Sequence, residues 1–164
     1  MRIVESALLL SVLLAGGCAS RQPGPARLAE VETSVQSFAR SVAEEVTRQG
    51  PAAWRDFFED SPSFFMAVDG RLQFPDGAAA KAAIPELTRS IQKIELEWGK
   101  DLRVDPLTED LAVMGAPWHE ILTLADGNRL DVSGYFTGFV ESRDGHWRFR
   151  NVHWSTIQPA SAPK

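Results

Sequence analysis

Four polar side chains with complementary abilities cluster near the C-terminal end of the chain: Tyr135, Thr137, Asn151 and His153. An imidazole with an ordinary pKa of about 6.5 gives and takes protons near neutrality. A phenol donates to an oxygen that is gaining negative charge. Whether these groups meet depends on the turn Arg143-Asp144-Gly145. A type I turn closed by a left-handed Gly145 bulge pairs Tyr135 with His153, Thr137 with Asn151 and Phe139 with Phe149, all on one face because strand side chains alternate. A two-residue turn at Asp144-Gly145 instead pairs Phe136 with His153; the turn's residue preferences favour the first register. That face then offers hydrogen-bonding tips among apolar Phe139 and Phe149, the usual make-up of a small-molecule site. Asp131 falls in phase with Tyr135 and His153 and is the one strand aspartate with a claim to complete an acid–base set. Each group also has a structural role open to it: His153 or Tyr135 as a satisfied core residue, Asp131 as a solvated strand-end charge.

Other chemistries find no support. His119 and Glu120 are adjacent on a strand and point to opposite faces, so they make no dyad. His146 sits in a turn, and three scattered histidines with one cysteine do not make a metal site. No glycine-rich nucleotide loop and no G-x-S-x-G elbow occurs, and no cofactor is implied. A formal charge of −5 argues against a nucleic-acid partner, which needs clustered Lys and Arg.

The elements that must position these groups can be read from periodicity. From Arg27, apolar Leu28, Val31, Val35, Phe38, Val42 and Val46 recur every three or four residues, a helix with one buried stripe ending near Gly50. Pro51 opens a short second helix whose Trp54, Phe57 and Phe58 form an aromatic face suited to packing or to lining a ligand cavity. A hairpin turning at Asp69-Gly70 follows. Asp76 then caps an alanine-rich third helix that Pro85 should kink or restart. Beyond Ser90 the period changes to strand alternation, first at Ile94, Leu96 and Trp98. Further strands cover Leu111 to Leu124 (bent or bulged at Gly115 and Pro117), Leu130 to Val140 and Trp147 to Ile157. Helices first and an antiparallel meander after them make an α+β plan. The opposite face of the last hairpin carries Phe136, Val140, Val152 and Trp154 with Arg148 and Arg150, an apolar patch rimmed by arginines that suits a homodimer or partner contact.

The first residues read as an address. Arg2, an apolar run from Ser6 to Ala15 and the ending Leu14-Ala15-Gly16-Gly17-Cys18 resemble a bacterial lipoprotein signal, in which the cysteine is acylated after cleavage before it. That resemblance implies a signal peptide over residues 1–17, a lipidated tether over 18–26, a domain over 27–157 and a loose tail over 158–164. Cys18 would anchor the protein to a membrane, and Ala19 after it implies the outer membrane, facing the periplasm.

Trp54-Arg55-Asp56-Phe57-Phe58, Gly134-Tyr135-Phe136-Thr137 and the hairpin from Arg143 to His153-Trp154-Ser155, in this order of elements, resemble the nuclear transport factor 2-like superfamily. The likeness is to its SnoaL-like and ketosteroid-isomerase-like branch. It implies a strongly curved sheet wrapped around three N-terminal helices as a cone whose open end is a pocket. The expected function is binding of a small, partly apolar molecule there. The alternatives are an acid–base enzyme of isomerase, cyclase or dehydratase type using His153, Tyr135 and Asp131, or an envelope interaction module. A full catalytic set, with a carboxylate inside the cone, is not evident from the sequence.

Overall fold

The computed structural model describes residues 23–157. Cys18, the leader and the tail beyond Ile157 lie outside the described residues. Helix α1 spans Pro25–Gln49, with Pro25 at the start, where a missing N–H costs nothing. Its buried stripe is Val31, Val35, Phe38, Ala39, Val42 and Val46. The second helix is shorter than its aromatic pattern suggests: a 3-10 turn over Gly50–Ala53 leads into one α-helical turn, α2, Trp54–Phe57.

Strands β1 (Phe65–Val68) and β2 (Arg71–Phe74) form the expected hairpin, with Asp69 and Gly70 both at positive φ. Asp76 caps α3, Gly77–Ser90, accepting a 2.7 Å hydrogen bond from the Ala79 N–H. This helix runs unbroken through Pro85. The rest of the chain is sheet: β3 (Ile91–Trp98), β4 (Arg103–Pro106), β5 (Leu111–Leu124), β6 (Arg129–Arg143) and β7 (His146–Thr156). β4 is too short and too proline-marked to show alternation in the sequence.

The sheet has seven strands in the order β2-β1-β7-β6-β5-β3, with β4 paired to β5 beyond the end of β3. It is antiparallel except for β1, which lies parallel to β7 and carries the front hairpin onto the sheet. This is the α+β architecture expected: α1 packed against a curved, unclosed sheet. β5 pairs with β6 without interruption from Leu111 to Thr123, Pro117 included. Pro117 is tolerated because it falls between the stretch paired to β4, which ends at Gly115, and the stretch paired to β3, which begins at Trp118.

Two glycines of β6 let β7 lie close against it. A Cβ at Gly134 would lie 1.7 Å from the Ser155 carbonyl oxygen, and one at Gly138 would lie 2.8 Å from that of Asn151. Only glycine lets β7 approach so closely on these rungs.

The last hairpin corrects the expected register. Asp144 and Gly145 both have positive φ (53° and 76°), so the turn is the two-residue kind, pairing Arg143 with His146. A bulge at Arg150 then shifts the pairing, so that Thr137 faces His153, Phe139 faces Asn151 and Tyr135 faces Ser155. The expected faces are also exchanged. Phe136, Val140, Val152 and Trp154 form the inner, buried face, while Tyr135, Thr137, Phe139 and His153 stand exposed on the outer one. The bulge moves Phe149 from the outer set to the inner, where it is fully buried. The physical reason is plain burial: four large apolar side chains leave more apolar area in water than a mixed polar face does.

Candidate functional site

Between the open end of the cone, the front hairpin and the helices lies a cavity of about 360 Å3. Its walls are mainly aromatic and aliphatic: Trp54 and Phe58 from the second helix region, Phe74 from β2, Trp118 from β5 and Trp154 from β7, with Met66, Val68, Ile94 and Leu122 around them. Trp154 is the hub. Its ring centroid lies 6.0 Å from Trp54, 5.7 Å from Trp98, 5.2 Å from Trp118 and 4.9 Å from Phe136. The indole N–H groups in this cluster are met unequally. Trp98 Nε1 donates to the Ala39 carbonyl at 2.7 Å, but among the described residues the buried Trp118 Nε1 has no acceptor.

Into this wall comes one carboxylate. The alternation that buries Ala112, Met114, Ala116 and Trp118 on β5 carries Glu120 to the same inner face, where it lines the cavity with Gln73 and Thr156 as the other polar groups. On the two neighbouring strands the residues opposite Glu120 are Leu96 and Val132. Among the described residues the Glu120 carboxylate makes no hydrogen bond and no ion pair. Desolvation therefore pushes its pKa up to about 7, opposed by the weaker attraction of His119. Near neutral pH both the protonated and the ionised form are then populated, the condition for both taking and giving a proton.

The residues expected to carry the site divide. Trp54 and Phe58 line the cavity. Phe57 belongs instead to a larger polar groove of about 890 Å3 between α1, the second helix and the β6–β7 turn, where Glu59 is paired to Arg143 at 3.2 Å and Lys81 to Asp60 at 3.0 Å. Phe149 is core, 5.1 Å from Phe38 and 5.3 Å from Phe136. Tyr135, Thr137, Phe139, Asn151 and His153 do share a face, but it is the outer one, away from the cavity. There Tyr135 lies over Gly115, and Asn151 Nδ2 donates to the Ser63 carbonyl at 3.0 Å, tying β1 to the sheet. Asp131 is on that face too, with its Oδ1 2.8 Å from His119 Nε2. The structure thus joins Asp131 to His119, an exposed pair, and not to His153.

Glu120 is the residue that sequence reasoning passed over, having weighed it only as a partner for His119. Its signal was present: it continues the inward phase of β5.

No family model matches the chain, and no curated protein matches it. Solved structures do. A nuclear transport factor 2-like superfamily protein from Salmonella enterica serovar Typhimurium LT2 aligns over 81% of this chain and 95% of its own, with 14% identity and a TM-score of 0.68. The fold is that of the nuclear transport factor 2-like superfamily. A candidate scytalone dehydratase from Novosphingobium aromaticivorans DSM 12444 shares this fold at 14% identity over 80% of this chain and 86% of its own, TM-score 0.66. So does a hexachlorocyclohexane dehydrochlorinase from Novosphingobium barchaimii LL02, at 17% identity over 80% and 89%, TM-score 0.60. Proteins of this fold therefore include enzymes, and in this chain the nuclear transport factor 2-like cone has an apolar cavity with a carboxylate in it.

Proposed function

We propose that the domain binds a small, largely apolar molecule in the cone and exchanges a proton or hydrogen bond with it through Glu120. The observation that carries this reading is the position of Glu120: among the described residues the one ionisable side chain of the cavity walls, held between apolar rungs and with its pKa raised to about 7. A half-buried carboxylate without a counter-ion among the described residues is costly, and a perturbed one in a cleft is a candidate functional group. The Trp118 indole N–H, buried without an acceptor in the described structure, is the second group a ligand would satisfy.

The expected result is saturable quenching of tryptophan fluorescence by a neutral probe such as indole-free naphthalene, lost when Leu122→Trp fills the cavity. Identical titrations for wild type and Leu122→Trp would show that the cavity is not the binding site.

A catalytic version of the same reading has one specific support. Dehydratases and dehydrochlorinases remove a proton and a leaving group from neighbouring carbons, and Glu120 in its ionised form is a base placed in a mainly apolar cavity. Turnover would then rise as pH passes upward through about 7 and fall by about 10²-fold or more in Glu120→Gln, the usual scale for losing a general base. A flat pH–rate profile would remove Glu120 from the chemistry.

The proposal includes the envelope. The lipoprotein-like leader supports anchoring through Cys18, with the domain facing the periplasm. Cys18→Ala should shift the protein from the membrane to the soluble fraction or block its processing. Unchanged lipid labelling and fractionation would refute the anchor. The four apolar residues first assigned to an interface are core, so a homodimer through this part of the sheet would use the observed outer face, where Tyr135 and Phe139 are 44% and 40% exposed.

A further inference from the structure

We propose that the molecule held in the cone is an organic cation, an amine or quaternary ammonium group on a small apolar body, with its charge set against Glu120. This names the ligand class for the cavity reading above and rests on it.

The argument is one of missing charge. The buried Glu59 has its counter-ion, with Oε1 3.2 Å from Arg143, although its Oε2 has no partner among the described residues. The half-buried Glu141 is held by Arg143 and Arg150, at 3.3 and 3.2 Å. Glu120 has neither. Among the described residues no Lys, Arg or His lines the cavity, and the rungs on either side of Glu120 are Leu96 and Val132. A carboxylate set in a largely apolar cavity attracts a positive charge, and the described residues supply none there. An anionic ligand would be repelled and a neutral one would leave the carboxylate as it is. A cation provides what the site lacks.

The rest of the wall suits the same ligand. Trp54, Phe58, Phe74, Trp118 and Trp154 present π-systems, whose faces attract cations through the ring quadrupole. Trp54 and Trp118 stand nearly perpendicular to Trp154, at 85° and 77°, so the aromatic surface turns in more than one direction. Gln73 and Thr156 add neutral hydrogen-bonding groups and no competing positive charge.

The test uses three probes with one body and three charges: phenethylammonium, 2-phenylethanol and phenylacetate, titrated calorimetrically into the full chain at pH 8. Phenethylammonium should bind at least tenfold more tightly than phenylethanol, and phenylacetate should bind least. Glu120→Gln, checked for folding by circular dichroism, should bring the cation to within about threefold of the alcohol, and Leu122→Trp should weaken both. Phenylethanol or phenylacetate binding as tightly as the cation would overturn the ligand class and leave the apolar cavity standing. A cation preference that survives Glu120→Gln would overturn the role of Glu120. Failure of all three probes to bind would count against the cavity reading itself.

Discussion

Trp154→Ala should destabilise the domain by about 3–5 kcal/mol, the range for truncating a large aromatic in a packed core. Trp154 is 8% exposed and contacts the rings of Trp54, Trp98, Trp118 and Phe136, joining the second helix, β3, β5 and β6 through one side chain. Its removal leaves a void that stiff neighbouring strands cannot close, so the cavity term adds to the lost transfer energy. Trp154→Glu should be worse, because it introduces a second carboxylate beside Glu120 without a counter-ion, and that variant is expected not to fold. The control is His153→Ala. It is one residue away but exposed on the outer face, and should stay within about 0.5 kcal/mol of wild type. Urea melts followed by far-UV circular dichroism decide the matter. A loss below about 1 kcal/mol for Trp154→Ala would mean that the inner and outer faces of β7 have been exchanged.

Much of the fold was legible because it is written in local periodicity. The valine stripe of α1, the Asp69-Gly70 turn and the Asp76 cap each depend on residues a few positions apart. What was not legible depended on contacts distant in sequence. The parallel pairing of β1 with β7 has no local signature. The two-residue turn at Asp144-Gly145 and the bulge at Arg150 together set the register of the last hairpin, and a bulge is invisible to a count of alternating positions.

The site was misread for a different reason. Tyr135, Thr137, Asn151 and His153 attracted attention as chemistry-bearing groups, and their face was placed inward on that account. The apolar content of the two faces argues the other way: Phe136, Val140, Val152 and Trp154 bury far more hydrocarbon. Had burial been weighed before chemistry, Trp118 and Leu122 would have oriented β5 and carried Glu120 into the cavity with them. Trp54 and Phe58 of the aromatic second helix are buried because their size leaves few places but the interior.

Glu120 should leave a signature on stability as well as on binding. Its carboxyl titrates near 7 in the native domain and at an ordinary 4.5 once unfolded, so between those values the folded state binds the extra proton. Stability associated with this group is thus fully present below about pH 4.5 and is lost as pH rises through 7. The loss is on the order of 3 kcal/mol at pH 8 if the shift is fully expressed. Glu120→Gln keeps the shape and removes the titration. The variant should match wild type to within about 1 kcal/mol at pH 4.5 and exceed it by about 2–3 kcal/mol at pH 8. Taking the difference between the two proteins cancels the carboxylates and histidines they share, apart from the weak coupling of His119 to Glu120. Urea melts of both proteins at pH 4.5, 6, 7 and 8 measure it, and parallel stability curves would show that Glu120 is not desolvated. A gain in the variant would mean that the native chain tolerates an uncompensated charge in its cavity above neutrality. That is the expected condition of a group retained for what it does to a ligand, since packing alone would favour the amide.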